Sequence, residues 1–358
     1  MDNTGQELGL TTKRTQLLKY MTFLMLALLL SLFISASLGA ADLPLSTTAA
    51  VFLSRLPFLS RVVDTTRVES AAEVILLQIR LPRIVLAMVV GAALATAGVI
   101  FQALFRNPMA DSWIIGVSPG AALGATIAIV FKIGHGMIGL SVLSLFAFMG
   151  AMGTTLFVYR IARTGTAVPV ANLLLSGIAA GAFLNALVSL LMMIGQEDLH
   201  RIFFWMLGGF TGASWNRVIL ALPFVLFCVV VVLFFSRDLN LFLLGEERAS
   251  QLGMETEKVK LILILLASLV ASLAVSVSGI IGFVGLITPH TVRLVTGPDH
   301  RLLTPTSALA GALIMLVSDT FARLVLSPRE IPVGVITAMI GAPFFTYLLR
   351  SRKRGLVR

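Results

Sequence analysis

The sequence has 358 residues, 58% of them hydrophobic and only 12% charged, with a mean hydropathy of +0.98. A water-soluble domain carries about 25% charged residues, so most of this surface is not made for water. The net charge of +10 sits in short links and at the chain ends, as in cytoplasmic loops of membrane proteins, which excludes a nucleic-acid-binding reading.

The first apolar run, 17–39, follows Lys13, Arg14 and Lys19 and ends in the small residues Ser35-Ala36-Ser37-Leu38-Gly39-Ala40. It has the order of a secretory signal, but it exceeds an apolar core of about 7–15 residues and is read as a retained membrane helix. Nine further windows follow at 84–105, 114–131, 137–159, 170–194, 218–235, 259–277, 280–295, 307–326 and 333–349. Most approach the roughly 20 residues that cross a bilayer core. The expected fold is therefore an all-α polytopic membrane protein, a single domain with about ten crossings. The run 261–295 is too long for one crossing and is split at Ser276-Val277-Ser278-Gly279, residues suited to a turn. Cys228, the lone cysteine, lies in an apolar run and reads as a small buried hydrophobe. His135, His200, His290 and His300 have no metal-ligand spacing.

Short links that alternate along the chain carry Arg106; Arg160 and Arg163; Arg237, Arg248, Lys258 and Lys260; and Arg293 and Arg301. By the positive-inside rule both termini are cytoplasmic. The tail Arg350-Ser351-Arg352-Lys353-Arg354 then lies against anionic lipid. The link 40–83 departs from the rule, because it falls outside yet holds Arg55, Arg61, Arg67, Arg80 and Arg83. The apolar segment 202–210, with Trp205 and Trp215 nearby, is too short to span and reads as a re-entrant or surface helix. Val168-Pro169-Val170 opens the fifth crossing and Ile331-Pro332-Val333 the tenth. Helices five apart run in opposite directions, so this echo predicts an inverted repeat of crossings 1–5 and 6–10.

No phosphate-binding loop or H-E-x-x-H motif occurs, so ATP hydrolysis by a phosphate-loop route is excluded for this chain. Gly116-Val117-Ser118-Pro119-Gly120 fits G-x-S-x-G. The favoured reading makes Ser118 a helix N-cap ahead of Pro119. The alternative is an intramembrane serine protease pairing Ser118 with His290. Asp319 and Arg323 stand four apart and can pair on one helix face. No chain of Asp, Glu or His crosses the interior, which weighs against a stand-alone secondary transporter and places the energy source in another protein. Leu243-Leu244-Gly245-Glu246-Glu247-Arg248-Ala249-Ser250-Gln251-Leu252-Gly253 reads as a short cytoplasmic helix. Glu246 and Glu247 suit its positive end and Gly253 its stop. Thr256 suits the cap of a second short helix. Leu243, Leu244, Ala249 and Leu252 give the segment an apolar surface for a partner.

Several signatures occur in order. They are Arg80-Leu81-Pro82-Arg83; Phe101-Gln102-Ala103-Leu104-Phe105-Arg106-Asn107-Pro108-Met109-Ala110; Gly116-Val117-Ser118-Pro119-Gly120-Ala121; Gly282-Phe283-Val284-Gly285-Leu286 with Pro289-His290 and Arg293; Gly297-Pro298-Asp299-His300-Arg301; Glu330-Ile331-Pro332-Val333-Gly334; and Gly341-Ala342-Pro343-Phe344-Phe345. In these the chain resembles the permease subunits of type II ABC importers, which take up iron-siderophore complexes, haem or cobalamin. The resemblance covers about 81–349. It implies ten helices per subunit, a homodimer in a prokaryotic cytoplasmic membrane, two ATP-binding subunits that hold ATP and Mg, and an extracytoplasmic substrate-binding protein. No cofactor, metal or catalytic residue is expected in this chain. The resemblance further implies that 240–258, with Leu244, Gly245, Glu246, Glu247, Arg248, Ala249, Gln251, Leu252 and Gly253, forms the ATPase-coupling helices. It matches Arg323 to an arginine that meets the binding protein, and gives a pathway along the fifth and tenth helices, where the small residues Gly177, Ala180, Gly181 and Gly341 fit. Arg55 and Arg61 are expected to assist docking from their place in the outer loop, with no motif that fixes their match. Packing within one subunit remains the other reading of those small residues.

Overall fold

The computed structural model describes residues 3–39, 43–55, 70–134 and 139–355. It comprises α1 (Asn3–Ser37), α2 (Leu45–Ser54), α3 (Ser70–Val74), α4 (Leu81–Leu104), α5 (Val117–Val130), α6 (Gly139–Ala162), α7 (Val170–Ile194), α8 (Leu199–Met206), α9 (Trp215–Phe234), α10 (Ser236–Phe242), α11 (Glu246–Gln251), α12 (Thr256–Ser278), α13 (Val284–Thr296), α14 (His300–Leu324) and α15 (Val333–Gly355). Each of the ten predicted windows is occupied by a helix: α1, α4, α5, α6, α7, α9, α12, α13, α14 and α15. Among the described residues seven helical segments are long and apolar enough to cross a membrane by themselves.

Packing is centred on α4. In the best window of the rod 70–104, 83% is buried, against 17% in α7 and 6% in α1, so α4 is the axis and the other two lie outside. Glycine allows the closest approaches. A side chain on Gly91 would meet the Gly311 carbonyl oxygen at 2.2 Å, and one on Gly98 the Gly285 oxygen at 1.8 Å. Without water to drive apolar packing, such small-residue contacts bring helix backbones together in lipid.

The predicted inverted repeat is visible in the helix pairings. Exchanging each spanning helix for the one five places along turns α4–α14 into α12–α6, and α4–α13 into α12–α5. The same exchange turns α5–α6 into α13–α14 and α5–α7 into α13–α15, and all of these pairs pack. Pro169 and Pro332 hold equivalent places immediately before α7 and α15.

Three boundaries differ from expectation, each for a local reason. The second crossing does not start at 84: helix runs unbroken from Ser70 through a π segment, Ile75–Arg80, into α4. Pro82 has no N–H to give, and Leu81 N–H reaches back to the Leu76 carbonyl, the wider spacing of a π turn. The eighth helix begins at Val284 rather than 280, because Gly279 (φ +71°) and Phe283 (φ +69°) take left-handed conformations in the link. Ser118 is not the N-cap of α5. Gly116 holds that place at φ +86°, and Ser118 is the second helical residue.

Candidate functional site

At one end of the bundle α10 and α11 form a ledge between α9 and α12. Gly245 (φ +103°) turns the chain into α11, with Glu246 and Glu247 in its first turn. The helix ends as the sequence predicts. Gly253 takes φ +86°, its N–H bonds the Ser250 carbonyl at 2.9 Å, and Met254 N–H bonds the Ala249 carbonyl at 3.2 Å. These two bonds are a Schellman motif, which needs a left-handed residue that glycine supplies without strain. Leu244 and Leu252 are 48% and 61% exposed and flank exposed Glu247, Arg248 and Gln251. Ala249 faces inward, fully buried beside Met254. It belongs to the ledge's own core and not to its apolar outer face. Thr256 caps no separate helix, because it is the first residue of the continuous α12.

The ledge is tied to the bundle by Lys260, which the sequence offered only as one basic residue of a link. Its side chain is 3% exposed, with Nζ 2.7 Å from Glu246 and 2.8 Å from Glu257. Lys260 Nζ also donates to the Val168 carbonyl at 3.1 Å, and Val168 N–H donates to Glu257 at 3.0 Å. One buried ammonium thus joins the first residue of α11, the start of α12 and the dipeptide Val168-Pro169 that leads into α7. Beside this ledge the link from α4 to α5 is turned by Asp111, whose carboxylate accepts from Ser112 N–H at 2.7 Å. Burial pushes the Asp111 carboxyl above the ordinary aspartate range despite that bond.

The opposite end carries an ion cluster. Asp319, fully buried, is gripped by Arg83 through Nη2 at 2.8 Å and Nε at 3.1 Å, and meets Arg323 Nε at 3.2 Å. Arg83 also meets Glu330 at 2.8 Å. Two cations face two anions, so the cluster is neutral. The expected Asp319–Arg323 pair is present, while the stronger partner, Arg83, lies 236 residues away in sequence and was not foreseen. Arg323 also donates to Ser35 Oγ at 2.7 Å and to the Leu38 carbonyl at 3.1 Å. Arg80 Nη1 donates to the Ala36 and Ser37 carbonyls. The C-terminal carbonyls of α1, which has no basic residue in its last turn, are therefore capped by two arginines from other helices. This accounts for Arg80 and Arg83 departing from the positive-inside rule: they act as buried structural cations rather than loop charges.

The predicted docking and pathway residues are spread apart. Arg323 is 7% exposed, so it is committed to α1 and Asp319 rather than offered at a rim. Arg55 is exposed and paired with Glu73, and Arg61 lies outside the described residues. In α7, Gly177 packs inside its own chain, since a side chain there would meet the Ile114 carbonyl oxygen at 2.0 Å. Gly341 of α15 likewise faces the Phe283 ring. Ala180 and Gly181 are buried on the same side. Gly177 and Gly341 are thus pressed by their own chain, Gly181 has only an ordinary contact with Pro119, and the outward face of α7 carries Leu175, Ile178, Phe183 and Leu190. Ser118 sits within helix α5, where its position is that of a packing residue.

These features, an all-helical inverted repeat with a capped ledge at one end, define a polytopic membrane protein. The profile of the FecCD transport family matches residues 4–351, and the chain belongs to that family. It is 47% identical over 286 residues to the cobalamin import system permease protein BtuC of Halobacterium salinarum, covering 80% of this chain and 76% of that one. It is 39% identical over 335 residues to the hemin transport system permease protein HmuU of Yersinia pestis, covering 92% and 97%. A solved inward-facing structure, described as a metal-chelate type ABC transporter, superposes with a TM-score of 0.80 at 34% identity, covering 93% of this chain and 99% of that one.

Proposed function

We propose that this chain is the permease subunit of an ATP-driven importer that brings a metal chelate, of the iron-siderophore, haem or cobalamin class, into the cytoplasm by alternating access. Two copies form the pathway, with the outward face of α7 turned to the second copy. Two ATP-binding subunits, which hold ATP and Mg, press on α11 from the cytoplasm, and both termini lie on that side. A substrate-binding protein docks outside, using Arg55 and Arg61. The permease performs no covalent chemistry. It supplies a bistable pair of bundles whose balance the partners shift. ATP closure moves the ledges, and Lys260 passes that movement to Val168-Pro169 and so to α7.

The observation that carries this reading is the ledge itself: a well-capped short helix with Leu244 and Leu252 exposed at an end of a membrane bundle, where lipid does not cover them. Gly253→Val forces a β-branched residue toward φ +86°, at a cost of roughly 1–2 kcal/mol. No neighbour lies within 4 Å of the added Cβ, so the strain is in the backbone alone. Leu252→Asp places an unpaired charge in the contact. Both variants should insert normally, because spanning helices satisfy their own hydrogen bonds. They should copurify poorly with the ATP-binding subunit or hydrolyse ATP without uptake. Wild-type copurification, ATP turnover and uptake in both variants would return the ledge to a plain solvated link.

A further inference from the structure

Beside the neutral ion cluster lies a cavity of about 490 Å³ lined by Arg83, Arg217, Glu330, Ser144 and Ser276 among others. Arg83 and Glu330 neutralise each other. Arg217 is partly buried, and among the described residues its side chain makes one bond, from Nη1 to the Val277 carbonyl, long at 3.4 Å. Among the described residues it has no carboxylate partner, so the cavity keeps one uncompensated positive charge. A second cavity of about 440 Å³ adjoins the first, sharing Ser144 and Ser276. Its walls are α6, α9 and α12, and its lining is almost wholly apolar: Leu145 and Phe148, Leu220 and Phe224, Leu269 and Leu273.

All three walls change chemistry in the same direction. Along α9, Arg217 is followed on one face by Leu220, Phe224 and Cys228; along α6, Ser144 by Phe148; along α12, read backwards, Ser276 by Leu273 and Leu269. The helical rise from Arg217 to Cys228 is about 16 Å, close to half of a hydrocarbon core of roughly 30 Å. The two cavities therefore join a mixed head, where Arg217 lies among Phe204, Trp205, Phe210 and several hydroxyls, to an apolar groove one leaflet deep. A small soluble anion would satisfy only the head of this shape, and an alkane only the groove.

We propose that these cavities together bind one anionic phospholipid, its phosphate against Arg217 and one acyl chain between α6, α9 and α12. A guanidinium at head-group depth attracts a phosphate through charge-assisted hydrogen bonds, and an apolar groove beside it takes up acyl methylenes. The site requires that the chain crosses a bilayer but not that it transports, so lipid binding and uptake can fail separately.

The test is native mass spectrometry of the purified full chain titrated with phosphatidylglycerol. Arg217→Gln removes the charge and should weaken binding by about tenfold, the loss of one charge-assisted contact. Leu220→Trp fills the groove at a residue already 52% exposed and should weaken binding similarly with Arg217 intact. Glycerophosphate, which has the head without the chain, should not compete. Undiminished binding in both variants would overturn the assignment, as would equal binding of phosphatidylcholine. Competition by glycerophosphate or citrate at matched concentration would make the cavity a free-anion site, and the lipid proposal would fall.

Discussion

Replacing Lys260 with methionine should leave the helices in place yet break the link between ATP hydrolysis and uptake. The methionine keeps the apolar stem but withdraws the ammonium from Glu246, Glu257 and the Val168 carbonyl together. Glu246 and Glu257 are 37% and 36% exposed, so water relieves them. The local cost is then about 1–3 kcal/mol rather than the larger penalty of a dry ion pair. That is enough to detach α11 from α7 without unfolding a bundle held by its own hydrogen bonds. Reconstituted with its ATP-binding subunit, the variant should hydrolyse ATP but import at least about tenfold less cargo per ATP, a coupling loss of roughly 1.4 kcal/mol or more. Lys260→Arg, which restores charge with a bulkier donor, should recover part of the coupling. A Lys260→Met protein with wild-type cargo per ATP would show that the buried ammonium only braces the fold.

The second large effect is expected at Asp319. Asp319→Asn leaves Arg83 and Arg323 facing only the carboxylate of Glu330, whose side chain is 40% exposed. Removing one member of a buried ion cluster costs about 3–5 kcal/mol. Glu330→Gln, removing the exposed member, should cost no more than about 1 kcal/mol. In thermal unfolding of the detergent-solubilised permease, Asp319→Asn should therefore fall well below Glu330→Gln. Adding Arg323→Gln to Asp319→Asn should recover part of the loss, because Arg83 keeps Glu330 whereas Arg323 is left with no carboxylate in contact. Equal shifts for the two single variants, with no recovery in the double, would mean that Asp319 is not the anchor of this cluster.

These two residues show what the sequence makes legible and what it does not. Local rules located the ten helices, the turn at Gly279 and the Schellman stop at Gly253, because each depends on neighbours in the chain. The pairing of α4 with α14 depends on glycines that look ordinary in sequence, and the Arg83–Asp319 contact that follows from it spans 236 residues. Lys260 looked like a loop charge because the positive-inside rule counts residues and not their depth. Arg323 was placed at a rim through resemblance to other permeases. Its burial follows from α1, whose bare C-terminal carbonyls need donors. Gly177 and Gly341 are small because their own chain presses on them, so residue size alone did not separate a pore wall from a packing seam. The split of the run 261–295 was legible from its length, but the start of α13 depends on the left-handed Phe283, a conformation that no residue pattern announces.

The measurement that bears most directly on the account is uptake into proteoliposomes holding this chain with its ATP-binding subunit, the binding protein outside and ATP sealed within. Labelled iron-siderophore, haem and cobalamin would be offered in turn. The account predicts accumulation of one of them that requires ATP, the ATP-binding subunit and the binding protein together, and that a proton or sodium gradient cannot replace. Accumulation by the chain alone, driven by an ion gradient, would contradict it.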